Sequence, residues 1–186
     1  KLILDMIEAA RAISREPGSY FTNQLENADA IAGYYPLAEE IRSQAGGDVD
    51  AFVHSVGTAA SLRGVATVLR REAPRVRIVA VEPAESSVLL GGPAGPHKIE
   101  GVGIGYRPPL WEPSLVDEVL AVTTEEAKEM TRRLAREEAL FAGTSTGANV
   151  VASLRVAARL GSGAKVATLA CDSGLKYLST DVYRRA

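Results

Sequence analysis

Residues 51–64, Ala51-Phe52-Val53-His54-Ser55-Val56-Gly57-Thr58-Ala59-Ala60-Ser61-Leu62-Arg63-Gly64, pass from an apolar, β-branched run through small residues into a helical pattern. The run predicts a strand over Val49 to Ser55, and the pattern after it predicts a helix over Ala59 to Glu72. At such a junction small residues let successive backbone N–H groups approach an anion, and the helix N-terminus adds a favourable dipole. Thr58 and Ser61 bring hydroxyl donors. Gly57 to Ser61 therefore has the outline of a phosphate cradle, and the competing reading is a tight strand-to-helix turn capped by serine or threonine. The segment is not a Walker A loop, since no Gly-Lys-Ser/Thr follows, and it lacks the G-x-G-x-x-G of a dinucleotide fold.

Toward the N-terminus, Ile3, Met6, Ile7, Ala10 and Ile13 recur at helical spacing, so residues 2–15 are expected to be helical, ended by Pro17-Gly18. A second helix is expected over Ala28 to Gln44, closed by Gly46-Gly47, with Pro36 bending or starting it. Toward the C-terminus, strands are expected at Arg75–Val81, Leu115–Val122 and Ala164–Ala170. Helices are expected at 124–138, capped by Thr123 or Thr124 with Glu126 or Ala127 in the first turn, and at 144–160, with a last helical turn over 173–179. Strands alternating with helices predict an α/β layer structure around a parallel, largely buried sheet. The Gly/Pro-rich stretch Gly91 to Pro113 is longer than an ordinary connection and is a candidate functional loop.

With 186 residues, 46% hydrophobic, the chain has the length of one globular domain and enough apolar material for a core, which excludes disorder and fibrous repeats. Its 21 Lys+Arg against 23 Asp+Glu leave no field favouring nucleic acid or an anionic membrane. Apolar runs are too short for a spanning helix or a secretory leader, and a soluble, cytoplasmic protein is expected. The lone Cys171 cannot close an internal disulfide, and His54 and His97 form no zinc-like cluster, so no metal is expected.

In open parallel sheets ligands bind beyond the carboxyl ends of strands, which directs attention to four further places. Cys171-Asp172-Ser173-Gly174 follows the last expected strand and either caps a terminal helix or hydrogen-bonds a ligand. Cys171 itself is expected to be a buried small residue rather than a nucleophile. Gly101-Val102-Gly103-Ile104-Gly105-Tyr106 bares the backbone at alternate positions, useful where a flat ligand comes close, with His97 and Lys98 expected to be solvated loop residues. Glu82 stands where a ribose-binding acid of a nicotinamide-binding, Rossmann-like domain would stand, which keeps that reading open. Gly143-Thr144-Ser145-Thr146-Gly147 opens a helix without a matching base, so capping and packing is the expected role.

In order along the chain, Asn23-Gln24, Ala51 to Gly64, Val81-Glu82-Pro83, Gly95 to Gly103, Ala142 to Ala148, and Asp172-Ser173-Gly174 with Lys176-Tyr177-Leu178-Ser179-Thr180 resemble one family. It is the cysteine synthase and cystathionine β-synthase family, the pyridoxal-phosphate β-family of the tryptophan synthase β-like fold (fold type II). The resemblance implies a parallel-sheet three-layer sandwich that binds pyridoxal 5'-phosphate. It implies that Gly57, Thr58, Ala59, Ala60 and Ser61 hold the cofactor phosphate, that Gly103 lies beside the cofactor, that Ser173 hydrogen-bonds the pyridine nitrogen, and that Gln24 helps receive the substrate carboxylate. The implied activity is β-replacement or β-elimination on an amino acid, most like making cysteine and acetate from O-acetylserine and sulfide. A homodimer is implied, with a serine acetyltransferase C-terminal peptide as a further partner, and a non-catalytic partner-binding module of the same family is the alternative.

Four departures stand out. Ala59-Ala60 replaces the family's usual two glycines, which is compatible with the cradle only if neither position needs a positive φ. Leu25 stands where phenylalanine is usual, and Tyr34-Tyr35-Pro36 replaces a Thr-Thr-Gly-Pro stretch. The family's Schiff-base lysine and its Ser/Thr-Gly-Asn-Thr loop precede the first helix seen here, and none of Lys1, Lys98, Lys128, Lys165 and Lys176 stands in a matching context; Lys128 is expected to face outward from its helix. Residues 1–186 are thus expected to be the C-terminal, cofactor-binding α/β domain, catalytically inactive without the lysine-bearing part.

Overall fold

A computed structural model describes residues 2–184; Lys1 lies outside them. Strand β1 (Ala51–Ser55) is buried along its whole length, which is why its sequence is a continuous apolar run rather than a polar alternation. It lies in a four-stranded parallel sheet of order β3-β2-β1-β4, with β2 Arg77–Pro83, β3 Glu118–Val122 and β4 Val166–Ala167. Helices α1 (Leu2–Ile13), α2 (Asp29–Ala32) and α3 (Tyr35–Gln44) precede the sheet, α4 (Ala60–Glu72) joins β1 to β2, and α5 (Thr124–Glu137) and α6 (Thr144–Leu160) join β3 to β4.

The two-residue period of the strands sends side chains into two separate cores. Phe52, Ile78 and Ala80 meet Leu62, Val65, Ala66 and Leu69 of α4, spaced i, i+3, i+4, i+7, together with Ile31 and Ala38. On the opposite face Ala51, Val53, Val79 and Val81 pack against Ala127 of α5 and Ala148, Ala152 and Val156 of α6. The result is the expected three-layer arrangement.

Several boundaries differ from expectation for identifiable reasons. The helix expected over 28–44 is two helices, because Pro36 sits in the first turn of α3 and cannot supply the N–H that a continuous helix requires. The strand expected over 164–170 pairs with β1 only at Val166 and Ala167. Beyond that point side chains take the ladder's place: Thr168 Oγ1 donates to Val53 O (2.6 Å), and Asn149 Oδ1 accepts from Ser55 N–H (2.7 Å). The last turn is a 3-10 helix over Gly174–Tyr177 rather than 173–179. Of the two threonines the sequence offers as caps of α5, it is Thr123 that caps it, in a reciprocal capping box with Glu126. Among the described residues no helix is long and apolar enough to cross a membrane.

Candidate cofactor site

β1 sits between strands whose connections run to opposite faces, so its carboxyl end and that of β4 form the crevice where such sheets receive ligands. Gly57 and Thr58 leave β1 there. Ala59 then takes a left-handed conformation, φ +71°, and α4 begins at Ala60 with no side chain capping its N-terminus. One side-chain contact to a first-turn N–H is long, Thr58 Oγ1 accepting from Ala60 N–H at 3.3 Å. No serine or threonine therefore stands at the N-cap itself, and apart from the long Thr58 contact no side chain among the described residues meets a first-turn N–H of α4. Of the two alanines, Ala59 does take a positive φ, so the condition set from the sequence is not met; the turn is formed by alanine all the same, at a cost in backbone strain.

The glycine-rich loop closes over this turn. Gly103 N–H donates to Val56 O (3.1 Å), and His97 Nε2 donates to Gly103 O (3.0 Å). His97 Nδ1 accepts from Ile99 N–H (3.3 Å), so the ring is a latch between two points of the loop rather than a solvated side chain. A Cβ on Gly57 would lie 2.4 Å from Gly101 O, and Gly103 holds φ +59° with Pro83 Cγ 2.7 Å from where its Cβ would be. Both positions require glycine for the loop and the cradle to touch. Between them and α1 opens a cleft of about 830 Å³, lined by Gln24, Gly57, Thr58, Gly101 and Gly103 and walled by Met6, Ile7 and Ala10.

The structure thus brings Gln24, Gly57, Thr58 and Gly103 to one cleft, with Ala59, Ala60 and Ser61 forming the helix start behind Thr58. Ser173 is not among the residues lining that cleft; it is exposed at the start of the terminal 3-10 turn, where its Oγ accepts from Leu175 N–H (3.3 Å) and keeps its own hydrogen to donate. Asp172, next to it, accepts from Tyr177 Oη (3.0 Å) and Lys176 Nζ (2.8 Å).

Other sequence candidates are spent on structure. Both carboxylate oxygens of Glu82 accept backbone N–H groups, from Leu89 (2.7 Å) and Leu90 (2.9 Å), in a site that is 2% exposed. Burial raises its pKa against the pull of those donors and Arg107, and the carboxylate is enclosed by the loop it holds rather than open to a ribose. Thr144 Oγ1 accepts from Glu100 N–H (3.2 Å) and Thr146 Oγ1 from Cys171 N–H (3.0 Å), so the small polar residues that open α6 pin two loops. Cys171 is exposed rather than buried, but its sulfur turns inward to Asn149 Nδ2 (3.5 Å), and desolvation pushes the thiol's pKa up, away from a reactive thiolate.

None of the described lysines lines the cleft. Lys128 faces inward, correcting the expectation, and its Nζ pairs with Asp181 (2.8 Å), which also lies 3.5 Å from Lys98 Nζ. Lys165 Nζ donates to Ala45 O (2.9 Å). Among the described residues no group of three or more His, Cys, Asp or Glu side chains could hold a metal ion. The residue sequence reasoning passed over is Asn149, buried in α6, which donates from Nδ2 to Leu169 O (3.0 Å) and contacts His54 Nδ1 (3.3 Å). Its signal was an asparagine in an otherwise small-residue helix turn facing a strand histidine.

The fit of these residues to a pyridoxal phosphate is specific at the phosphate end: an uncapped helix start and a turn that a single Cβ would block. Comparisons with known proteins bear on the family. The chain is 39% identical over 179 residues to a cysteine synthase of Staphylococcus aureus, covering 95% of this chain and 58% of that protein. It superposes on an O-acetyl serine sulfhydrylase isoform 3 of Entamoeba histolytica with a TM-score of 0.91 at 35% identity, over 97% of this chain and 55% of that one. On an O-acetylserine dependent cystathionine beta-synthase of Helicobacter pylori the TM-score is 0.89 at 38% identity, over 98% and 58% of the two chains. The chain therefore spans little more than half the length of the relatives it matches. With residues 3–172 matching the family described as pyridoxal-phosphate dependent enzyme, and with a sheet, a turn and a glycine loop arranged as above, the chain belongs to that family.

Proposed function

We propose that this chain provides the phosphate-binding part of a pyridoxal-phosphate site for β-replacement or β-elimination on an amino acid, most like the formation of cysteine and acetate from O-acetylserine and sulfide. The observation that carries the reading is the uncapped start of α4, held open by left-handed Ala59 and roofed by the glycine loop at the end of β1. Backbone donors of Gly57 to Ser61 and the hydroxyls of Thr58 and Ser61 hold the phosphate, and Gly103 gives a flat ring room. Gln24, exposed on the same cleft, receives the substrate carboxylate. When bound, pyridoxal phosphate supplies an electron sink for negative charge at the substrate's α-carbon.

Ser173 is assigned to the ring nitrogen. Its Oγ already accepts Leu175 N–H, which leaves the O–H to donate without giving up its proton. A hydroxyl partner keeps the sink mild and suits chemistry in which a β-substituent carries the electrons away. The lysine that anchors the cofactor is supplied from outside residues 2–184, since Lys98, Lys128, Lys165 and Lys176 all stand away from the cleft. Residues 1–186 accordingly act as the cofactor-binding α/β domain of the active unit.

The test is to mix the chain with pyridoxal phosphate, treat with borohydride, and map modified peptides. The expected result is reversible, phosphate-dependent binding with only scattered, low-level lysine labelling. Stoichiometric labelling of one lysine would overturn the assignment of the anchor to another segment.

A further inference from the structure

His54, the fourth residue of β1, is 5% exposed, and its ring stacks obliquely against Phe52 on the α4 face of the sheet. Its Nε2 lies 2.9 Å from Ser61 Oγ in the first turn of α4, and its Nδ1 lies 3.3 Å from Asn149 Nδ2. Which way these two hydrogen bonds run follows from Asn149. That side chain is wholly buried, and its Oδ1 faces the N–H of Ser55, a group that only donates. Its Nδ2 faces Leu169 O, a group that only accepts. Two one-way partners fix the amide orientation, so it is the NH2 end that meets His54. One of its hydrogens goes to Leu169 O, and the other points between His54 Nδ1 and the more distant, weaker acceptor Cys171 Sγ. His54 Nδ1 is therefore an acceptor. Burial also keeps the ring neutral, with its pKa lowered to about 4.

We propose, on the basis of the phosphate assignment above, that His54 is a positioning residue for the cradle: locked by Asn149 as its Nε2–H tautomer, it donates to Ser61 Oγ and so commits the Ser61 hydroxyl hydrogen to an anion at the α4 N-terminus. The tautomer sets the sign of the contact. In the opposite form Ser61 would donate to Nε2 and turn a lone pair toward the phosphate, which repels it. In the Nε2–H form the serine oxygen is already an acceptor, which polarises its O–H and strengthens it as a donor to a charged oxygen. Ser61 Oγ makes no other hydrogen bond among the described residues, so its hydrogen is uncommitted until the anion arrives. Asn149 on α6 thereby reaches the cofactor cradle on α4 through the opening in the β1–β4 ladder.

Long-range proton–nitrogen correlation spectra of the full chain labelled with 15N-histidine read the tautomer without any ligand, His54 being assigned by the signal lost in His54→Gln. The expected spectrum has protonated Nε2 and a bare, pyridine-type Nδ1; a protonated Nδ1 would overturn the proposal. Affinity for pyridoxal 5'-phosphate supplies the second readout, with circular dichroism confirming that each variant is folded. His54→Phe is expected to weaken binding on the order of tenfold, the worth of one charge-assisted hydrogen bond. Ser61→Ala should do the same, and adding His54→Phe to it should change nothing further. His54→Gln, whose amide N–H can replace Nε2–H, should keep most of the affinity. Equal losses from His54→Phe with and without Ser61 would show a merely structural role and overturn the proposal. If the unsubstituted chain binds no pyridoxal phosphate, the phosphate assignment itself fails, which is distinct from binding without coupling between His54 and Ser61.

Discussion

Ala59 holds φ +71° at the junction of Thr58 and α4, a conformation that costs an L-residue with a Cβ about 1–2 kcal/mol. Glycine would relieve that cost but lose about 0.5–1 kcal/mol through its freer unfolded chain. Ala59→Gly is therefore expected to raise unfolding free energy by up to about 1 kcal/mol in urea titration, whereas Ala60→Gly, at the ordinary helical first position, is expected to lower it by a comparable amount. Two adjacent alanines look alike in sequence. Only the direction in which the chain leaves β1 decides which of them is strained. His54 poses a similar case, since sequence shows a lone strand histidine while the fold buries it against Phe52, Ser61 and Asn149 with no carboxylate among its partners. Its folded pKa, about 4, lies below the unfolded 6.5, so the unfolded chain binds the extra proton first. The contribution is fully present above pH 6.5 and lost progressively as pH falls toward 4, up to about 3 kcal/mol for the full shift. Unfolding measured at several pH values should show this slope in the parent chain and a flatter one in His54→Gln; an unchanged slope would place the titration elsewhere.

At the scale of elements, legibility follows how local the cause is. The buried runs of β1 and β2, the i, i+3, i+4, i+7 face of α4, and a threonine cap on α5 are set by neighbours in sequence and are found, with β2 running two residues later than its pattern, Arg77–Pro83 rather than 75–81. The C-terminal strand is different. Residues 164–170 have the apolar character of a strand, yet the ladder stops at Ala167 because Thr168 and Asn149 supply side-chain partners to Val53 and Ser55 instead. No local pattern announces that Asn149, on a helix, will take a strand's hydrogen bond. Lys128 is misread for the same reason. Among Glu125, Glu129 and Arg132 it looks like part of a solvated face, but the C-terminal segment folds back and lays Asp181 against it. The 3-10 turn at Gly174–Tyr177 likewise ties back to earlier structure, since Gly174 N–H donates to Phe141 O (3.1 Å).

For the molecule as a whole, a strand order of β3-β2-β1-β4 puts the carboxyl end of β1 at the centre of the crevice, and the long connection between β2 and β3, which has only 3-10 turns at Ala84–Ser86 and Pro113–Leu115, brings Gly103 back onto it. Sequence motifs foretell the cradle and the glycine loop separately. Their contact, and the latch that His97 makes within the loop, belong to the tertiary structure. Gln24 joins the same cleft from the segment after α1, while none of the described lysines lines it. The most direct test of a phosphate-anchored cofactor site is a binding comparison of pyridoxal 5'-phosphate with pyridoxal, in the parent chain and in Gly57→Ala, whose new Cβ would sit 2.4 Å from Gly101 O. Weak, reversible binding that needs the phosphate and is lost in Gly57→Ala is the predicted result; equal affinity for pyridoxal, or a cofactor that binds Gly57→Ala undiminished, would contradict it.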